Sequence, residues 1–215
     1  MTSKHSDPLG IEIAPRDITH NDILFLGCSY TVGHGLSDST KRYSSIFSRH
    51  YDKQEINLAA SGTGNYRSFD MFGQLNVASG ATVILQITEL SRVRWYHRKS
   101  VKDVMLSVAP NRDLLTVYND EFLIYDLIRQ LRIITKLCRV HDIKLIVWSI
   151  ARPGIWHNDL ETYLSKFPEY VYLDSRRNAD TSYYVDNATD GLHPGPRSNQ
   201  LIAEKLIDHF NKLYS

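Results

Sequence analysis

Hydrophobic residues along this chain follow two patterns, short continuous runs and longer stretches with helical spacing. The continuous runs, some of which end at a glycine or a polar turn, are typical of strands that are buried on both faces of a parallel sheet. They predict strands at residues 23–27, 55–58, 82–87, 144–150 and 170–173.

The stretches between and after these strands have the apolar spacing of amphipathic helices. Helices are predicted from Ser39 or Thr40 to about residue 50, at 65–79, from Asn119 or Asp120 to about residue 141, at 160–167, and from Pro196 or Ser198 onward. The apolar face of the long third helix consists of Leu123, Leu127, Leu131, Ile134 and Leu137. The alternation of strand and helix predicts an α/β fold, with a five-stranded parallel sheet and helices on both of its faces.

The length and composition of the chain predict a single domain. Its 215 residues, 42% of them hydrophobic, are enough to bury a full core. We expect residues 1–20 to form a loose lead-in and residues 21–215 to form the domain. An irregular insertion is expected around 91–118, between the third strand and the long helix.

Charge, cysteine content and the N-terminal sequence limit the classes of partner and compartment. The net charge of +1 gives no general attraction to nucleic acid or to an anionic membrane. The two cysteines, Cys28 and Cys138, are too few for a disulfide framework and are compatible with a reducing compartment. Residues 1–15 lack the apolar core of a signal peptide, and no run is long enough to cross a membrane, so a cytoplasmic location is expected by default.

Several loops should meet at one edge of the predicted sheet, because ligands of open α/β sheets bind at the carboxyl ends of the strands. The residues concerned are Ser29, the 59–65 loop, Thr88 with Glu89, the 151–157 loop and the 190–193 loop. They are far apart in sequence, and only the topology brings them together.

Three residues at this edge suit nucleophilic acyl transfer. Ser29 follows a buried strand, where a turn can aim its hydroxyl outward and leave backbone N–H groups beside it. Asp190 lies three residues before His193, so its carboxylate can accept the Nδ1–H bond and leave Nε2 to face Ser29 as a general base. In the simpler alternative, Ser29 closes the turn and Asp190 caps a local structure.

Cys28 is a rival nucleophile, because a thiol is intrinsically more reactive than a hydroxyl. Adjacent residues at a strand end point in opposite directions, so only one of Cys28 and Ser29 should face the edge. We expect Ser29 to face it and Cys28 to be buried and inert.

No metal or other cofactor is expected. The nine histidines do not have metal-binding spacing, and the two cysteines form no cluster. The glycines at 27–35 follow a strand, but the Gly-Lys-Ser/Thr of a phosphate-binding loop does not follow them.

Three segments of the chain resemble sequence blocks of the SGNH (GDSL-type) hydrolases. They are Gly-Cys-Ser at 27–29, where the family more often has Gly-Asp-Ser, the segment 57–65, and Asp-Gly-Leu-His-Pro at 190–194 before a helix. The resemblance spans residues 23–213 and implies a flavodoxin-like three-layer sandwich. It also implies Ser29 as nucleophile, His193 as base, Asp190 as the residue that orients His193, and the N–H groups of Ser29 and Gly62 as oxyanion donors.

The third block of that family is absent from this chain. The family pattern has Gly-x-Asn-Asp after the third strand, with the asparagine completing the oxyanion hole, whereas residues 85–90 are Leu-Gln-Ile-Thr-Glu-Leu. Thr88, Gln86 and Asn65 are the candidate replacements, and Asn65 is favoured because it also carries an amide NH₂. Loss of one such donor costs about a hundredfold or more in rate.

A basic and aromatic segment follows the third strand, with Arg92, Arg94, Trp95, Tyr96, His97, Arg98 and Lys99. Such a cluster suits an anionic or sugar-ring substrate or nucleic acid, or equally a solvated helix face with the tryptophan packed below it. Arg152, Trp156 and His157 lie at the same predicted edge, where Trp156 either stacks on a sugar or anchors its loop. Trp95, Arg152 and Trp156 are therefore the predicted substrate contacts.

The leading prediction is a serine hydrolase that cleaves an ester through an acyl-enzyme. By family resemblance the substrate is an O-acetyl group on carbohydrate, with lipid or small acyl esters and acyl transfer to another acceptor as open alternatives. The rival prediction is a catalytically weak or inactive protein of the same fold that binds a glycan or a partner protein. A small-molecule or carbohydrate ester is the expected partner, and no nucleic acid is expected.

Overall fold

The computed structural model of the protein describes residues 17–97, 100–105, 120–151, 158–174 and 182–215. Its strands are β1 (Asp17–Ile18), β2 (Asp22–Leu26), β3 (Gln54–Asn57), β4 (Asn76–Val77), β5 (Thr82–Ile87), β6 (Arg92–His97), β7 (Ser100–Met105), β8 (Lys144–Ala151) and β9 (Tyr170–Asp174). Its helices are α1 (Ser29–Val32), α2 (Tyr43–His50), α3 (Asn65–Gln74), α4 (Asp120–Val140), α5 (Asn158–Leu164) and α6 (Pro196–Tyr214), with a 3₁₀ turn at Ser39–Lys41. None of the described helices is both long and apolar enough to span a membrane.

Five of the strands form one parallel sheet in the order β3-β2-β5-β8-β9. The predicted α/β fold and its five-stranded parallel sheet are therefore confirmed. Every residue of β2 and β5 is buried, as continuous apolar runs require. The chain leaves β2 for β3 on one side and returns to β5 on the other, so the carboxyl ends of β2 and β5 flank the crevice of a doubly wound sheet.

Helices cover both faces of the sheet and complete a flavodoxin-like three-layer sandwich. On one face, Met71 of α3 and Leu127 and Leu131 of α4 pack into a core with side chains of the central strands. On the other face, Phe47 of α2 and Leu206 of α6 pack into a second core. The sheet is thus desolvated on both sides, which leaves the strand ends as the place where polar side chains meet water.

The helix predicted at 65–79 ends earlier than its apolar spacing indicates. It stops at Gln74, and Leu75 is extended with φ −92° and ψ 144°. Asn76–Val77 then pair in parallel with Asp17–Ile18. The prediction was wrong at this end because the partner strand lies far earlier in the chain, where a local pattern carries no information about it.

The predicted apolar face of α4 is correct except at its last residue. Leu137 is 42% exposed, and Cys138 takes the inward position at 1% exposure. Residues three and four positions after Ile134 both share its side of a helix, so spacing alone does not separate the two. The buried members of the face are Leu123, Leu127, Leu131 and Ile134.

The region predicted as an irregular insertion contains an antiparallel hairpin. β6 pairs with β7, from Arg92 opposite Met105 to His97 opposite Ser100. The alternative of a helix face is therefore wrong for residues 92–97, and Val93 is buried against the core. Residues 106–119 lie outside the described part of the chain.

Candidate active site

The turn after β2 places Ser29 at the carboxyl edge of the sheet. Cys28 caps the short helix α1, and Ser29 is its first residue, 7% exposed. Gly27 has a φ of +154°, and an added Cβ would lie 2.5 Å from Thr31 Oγ1 and 2.7 Å from Gln86 Cβ. Only glycine fits this position, and the room it leaves is taken by the Gln86 side chain, which reaches across from β5.

The loop before α6 orients His193 with a carboxylate. Asp190 Oδ2 lies 2.6 Å from His193 Nδ1. Asp190 Oδ1 accepts the backbone N–H groups of Leu192 at 2.9 Å and His193 at 3.0 Å. These backbone bonds, together with the imidazole, hold the pKa of Asp190 well below its usual range. The ionised carboxylate accepts the Nδ1–H bond, which leaves Nε2 as the acceptor nitrogen.

A second carboxylate, Asp186, fixes this loop to the start of α6. Its Oδ1 accepts the N–H of Ser198 at 2.7 Å, and its Oδ2 accepts the N–H of Arg197 at 3.0 Å. Partial burial raises the pKa of Asp186, but the bonds from Ser198 and Arg197 outweigh burial and lower the pKa overall. The sequence analysis missed Asp186, because it lies ten residues before α6 and the N-cap position itself is Gly195, so no local capping signal marks it.

Hydrogen bonds between the two ends of the chain close the site. Asn199 on α6 accepts the backbone N–H of Tyr43 at 2.9 Å and donates to the Pro194 carbonyl at 2.9 Å. Thr189 donates to the Gly35 carbonyl from its N–H at 3.1 Å and from its hydroxyl at 2.7 Å. As a result, the segment that carries the serine and the loop that carries the imidazole lie side by side.

Ser29 and His193 line one cavity at the carboxyl ends of β2 and β5. The Ser29 hydroxyl makes a long hydrogen bond to Cys28 Sγ, at 3.9 Å. Within the described residues, no hydrogen bond joins this hydroxyl to His193. Serine–histidine bonds of this kind are often long without substrate and tighten in the substrate complex.

Solved structures contain this fold, although no family model and no curated protein matches the chain. A G-D-S-L family protein described as lipolytic, from Desulfitobacterium hafniense DCB-2, superposes with a TM-score of 0.56 at 11% identity, over 88% of this chain and 99% of that one. A family 2 carbohydrate esterase from Corynascus thermopiles gives 0.52 at 13% identity, over 94% and 70%. TesA gives 0.52 at 12% identity, over 89% and 99%. The chain has the SGNH-hydrolase fold.

Both residues at the start of α1 border the cavity of this SGNH fold. Cys28 is buried, as expected, and its thiol lies 3.5 Å from Gln86 Oε1. The expectation that only one of Cys28 and Ser29 faces the edge is too strict. Helix α1 begins at Ser29, so the alternation of a strand no longer applies there.

Of the four predicted oxyanion donors, the structure places two at the cavity. Ser29 and Thr88 line the cavity, whereas Gly62 and Asn65 are not among the described residues that line it. Gly62 lies in the exposed loop before α3 with a φ of +78°, and an added Cβ would meet nothing within 4 Å. This loop is therefore open to solvent at Gly62.

The Asn65 carboxamide is bonded to the backbone at the end of β5. Its Nδ2 donates to the Thr88 carbonyl at 3.1 Å, and its Oδ1 accepts the Thr88 N–H at 2.8 Å. Asn65 is buried in this position. The Asn65 side chain joins the start of α3 to the loop after β5. It thereby holds the backbone of Thr88, which lines the cavity.

His34 is a member of the site that the sequence analysis did not identify. Its ring lies 4.8 Å from the His193 ring, and its Nε2 lies 3.9 Å from Asp190 Oδ2. One ligand atom from each of His34, Asp190 and His193 lies within 4.8 Å of the others, so the group has donors for a divalent cation. A cation there would compete for the Asp190 oxygen that holds His193. No sequence signal marks His34, because its partners are at the other end of the chain.

The residues predicted to contact substrate fall mostly outside the described part. Arg152 and Trp156 lie in the undescribed segment 152–157, and of Trp95 only the backbone is described, paired with Lys102 in the hairpin. Arg92, which was in the same predicted cluster, lines the cavity. Its Nε lies 3.5 Å from Glu89 Oε2, so one side of the cavity carries a charged pair.

Proposed function

We propose that this protein is a serine hydrolase that cleaves a carboxylic ester through an acyl-enzyme. The observation that carries the proposal is the 2.6 Å bond between His193 Nδ1 and Asp190, beside the cavity that Ser29 and His193 share. A carboxylate that accepts the Nδ1–H bond fixes the tautomer in which Nε2 takes a proton from serine. The SGNH fold supports this assignment at the level of the architecture.

In the proposed reaction, Ser29 Oγ attacks the ester carbonyl carbon while His193 Nε2 takes its proton. The carbonyl electron pair moves onto oxygen, where the Ser29 N–H donates to it and Gly62 or Thr88 is a predicted further donor. Collapse of this intermediate breaks the bond to the alcohol, which leaves with the proton from His193. Water, deprotonated by His193, then attacks the acyl group, releases the acid and restores Ser29.

A short acyl ester of a carbohydrate is the substrate class that we propose. Ile87 and Ile150 give the cavity a small apolar side, and Thr88, Glu89 and Arg92 give it a polar side. This division suits a short acyl chain next to a hydroxyl-rich alcohol. The structural neighbours include both a carbohydrate esterase and a protein described as lipolytic. Lipid and small acyl esters are therefore the substrates to compare with acetylated carbohydrate.

A fluorophosphonate probe tests the nucleophile directly, because it reacts covalently with an activated serine. We expect the wild type and Cys28→Ala to be labelled and Ser29→Ala not to be labelled. An unlabelled wild type would reject the hydrolase. Labelling that survives in Ser29→Ala but is lost in Cys28→Ala would reassign the nucleophile.

The substrate class is tested with acetylated oligosaccharides, long-chain acyl esters and 4-nitrophenyl acetate. We expect the acetylated oligosaccharides to give the highest kcat/KM. Trp95, Arg152 and Trp156 are the proposed sugar contacts, so Trp156→Ala should raise KM for the oligosaccharide and leave KM for 4-nitrophenyl acetate unchanged. Equal kcat/KM for all three esters would reject a carbohydrate substrate.

A second candidate function is glycan or protein binding without turnover. The observation that favours it is the missing family asparagine after β5, where Thr88 and Glu89 stand. The same probe separates the two functions. Binding of an oligosaccharide by a protein that is neither labelled nor active would favour the binding function.

A further inference from the structure

Gln86 carries a long polar side chain near the carboxyl end of the buried and mainly apolar strand β5, and it lines the cavity beside Ser29 and His193. It is 2% exposed. Its side chain runs past Gly27, where an added Cβ would lie 2.8 Å from Gln86 Oε1. A buried carboxamide at this place requires hydrogen-bond partners, and the identity of those partners determines which of its ends faces the cavity.

The oxygen end of this carboxamide faces the turn that holds Ser29. Gln86 Oε1 accepts the backbone N–H of Cys28 at 3.3 Å and the hydroxyl of Thr31 at 2.6 Å. A backbone N–H can only donate, so the atom next to it must be the oxygen. The orientation of the amide is thereby fixed by the backbone.

A buried chain of hydrogen bonds keeps the Thr31 hydroxyl in its donor role. Trp148 Nε1, which can only donate, lies 3.3 Å from the Tyr43 hydroxyl. Tyr43 therefore donates its proton onward to Thr31 Oγ1 at 2.9 Å, and Thr31 donates to Gln86. Burial raises the pKa of Tyr43, so its hydroxyl stays protonated at every working pH.

The nitrogen end is left for the cavity. Among the described residues, Gln86 Nε2 donates no hydrogen bond. It is also absent from the set of fully buried polar atoms that lack a partner, so some of its surface is accessible. Since Gln86 lines the cavity and its oxygen faces the turn, the Nε2–H groups are the part available to a ligand.

We propose that Gln86 Nε2 is the side-chain oxyanion donor of this enzyme, in place of the asparagine of the family pattern. The inference rests on the proposed ester hydrolysis at Ser29. As the bond from Ser29 Oγ to the carbonyl carbon forms, negative charge grows on the carbonyl oxygen, and the Gln86 N–H bond to it strengthens without proton transfer. Asn65 does not take this role, because both ends of its amide are bonded to Thr88.

Gln86→Glu tests the donor, because it keeps the oxygen that faces Cys28 and Thr31 and replaces the NH₂ by a second oxygen. We expect kcat to fall by roughly 100-fold or more with little change in KM, since the contact is made to the transition state. Affinity for a boronic acid, which forms a tetrahedral anion on serine, should fall by a similar factor. Gln200→Glu, the same change on the exposed side of α6, should leave both quantities unchanged.

Thr31→Val provides a second test if Gln86→Glu does not fold. It removes the shorter of the two bonds to Oε1 and leaves only the 3.3 Å bond from the Cys28 N–H, so the amide is held less firmly, and kcat should fall about tenfold with KM unchanged. A kcat within threefold of wild type in whichever of the two variants folds would overturn the role of Gln86. A wild type without turnover or probe labelling would instead reject the proposed hydrolase, so the two failures are distinguishable.

Discussion

The two halves of the candidate site are held by different kinds of interaction. The half around Ser29 rests on uncharged hydrogen bonds inside the protein. The half around His193 is a surface loop in which backbone N–H groups converge on two carboxylates, Asp190 and Asp186. Neutral buried bonds are insensitive to pH and salt, whereas the carboxylate bonds require ionised groups.

This difference matches what each half must do in the proposed reaction. A nucleophile and its oxyanion donors must already be in place when charge develops, and a buried network provides that rigidity. A general base must exchange its proton with bound alcohol and water in each cycle, and His193 lies on a loop that solvent can reach. The comparison therefore predicts large catalytic effects in the loop half and large stability effects in the buried half.

His193→Ala should have the largest effect. It removes the proposed general base, the imidazole that bonds to Asp190 and lines the cavity with Ser29, and kcat should fall on the order of 10⁴-fold or more. Steady-state hydrolysis of 4-nitrophenyl acetate measures it. The matched control is His209→Ala on α6, whose ring faces the Pro168 carbonyl and should not affect turnover. Retention of more than a hundredth of wild-type kcat would remove His193 from the role of base.

Asp190→Asn should reduce kcat by roughly 10³- to 10⁴-fold, because a neutral amide no longer fixes the Nδ1–H tautomer of His193. KM should change little. Asp52→Asn, at an exposed turn before β3, is the surface control for the same chemical change. Equal kcat in Asp190→Asn and the wild type would mean that the carboxylate only shapes the loop.

Tyr43→Phe should give the largest loss of stability among these variants. It leaves the Trp148 N–H without its acceptor and Thr31 without its donor inside the core, which costs about 1–3 kcal/mol of unfolding free energy. Tyr51→Phe is the matched control, because its hydroxyl bonds to Asn211 at 2.7 Å in an exposed position and should cost less than about 1 kcal/mol. Urea unfolding measures both, and equal losses would contradict the importance of burial.

The central strands were predictable from the sequence because a continuous apolar run is a pattern of neighbouring residues. The segment 82–87 is β5 without any change of bounds, since a continuous apolar run is what a sheet covered on both faces requires. Asp190 and His193 were also within reach, because both lie in one short loop. The end of α3 was not, since β4 exists only through its pairing with β1.

The residues that support the site were harder to predict, because most of their partners are also far away in the sequence. Asn199 bonds to Tyr43, and His34 approaches Asp190, from opposite ends of the chain. Gln86 did leave a signal, a long polar side chain that follows three apolar residues in the run TVILQI. Burial of such a residue is costly unless its polar atoms find partners or reach a cavity, and that signal carries more information than the similarity of Asn65 to the missing asparagine.

Asp186→Asn should give the smallest effect, and its pH dependence tests the charged half of the comparison. The folded state lowers the pKa of Asp186 from its ordinary value of 3.8, so this carboxylate stabilises the fold when it is ionised. The stabilisation is complete above about pH 5 and is lost as the pH falls through 4 and toward the lowered pKa. At pH 7 the variant should lose about 1 kcal/mol of unfolding free energy, typical of a helix cap. As the pH falls below 4 toward the lowered pKa, the stabilities of the wild type and the variant should converge, whereas Tyr43→Phe should show the same deficit at every pH. A deficit in Asp186→Asn that does not change between pH 7 and pH 3 would mean that the loop is held by the shape of Asp186 and not by its charge.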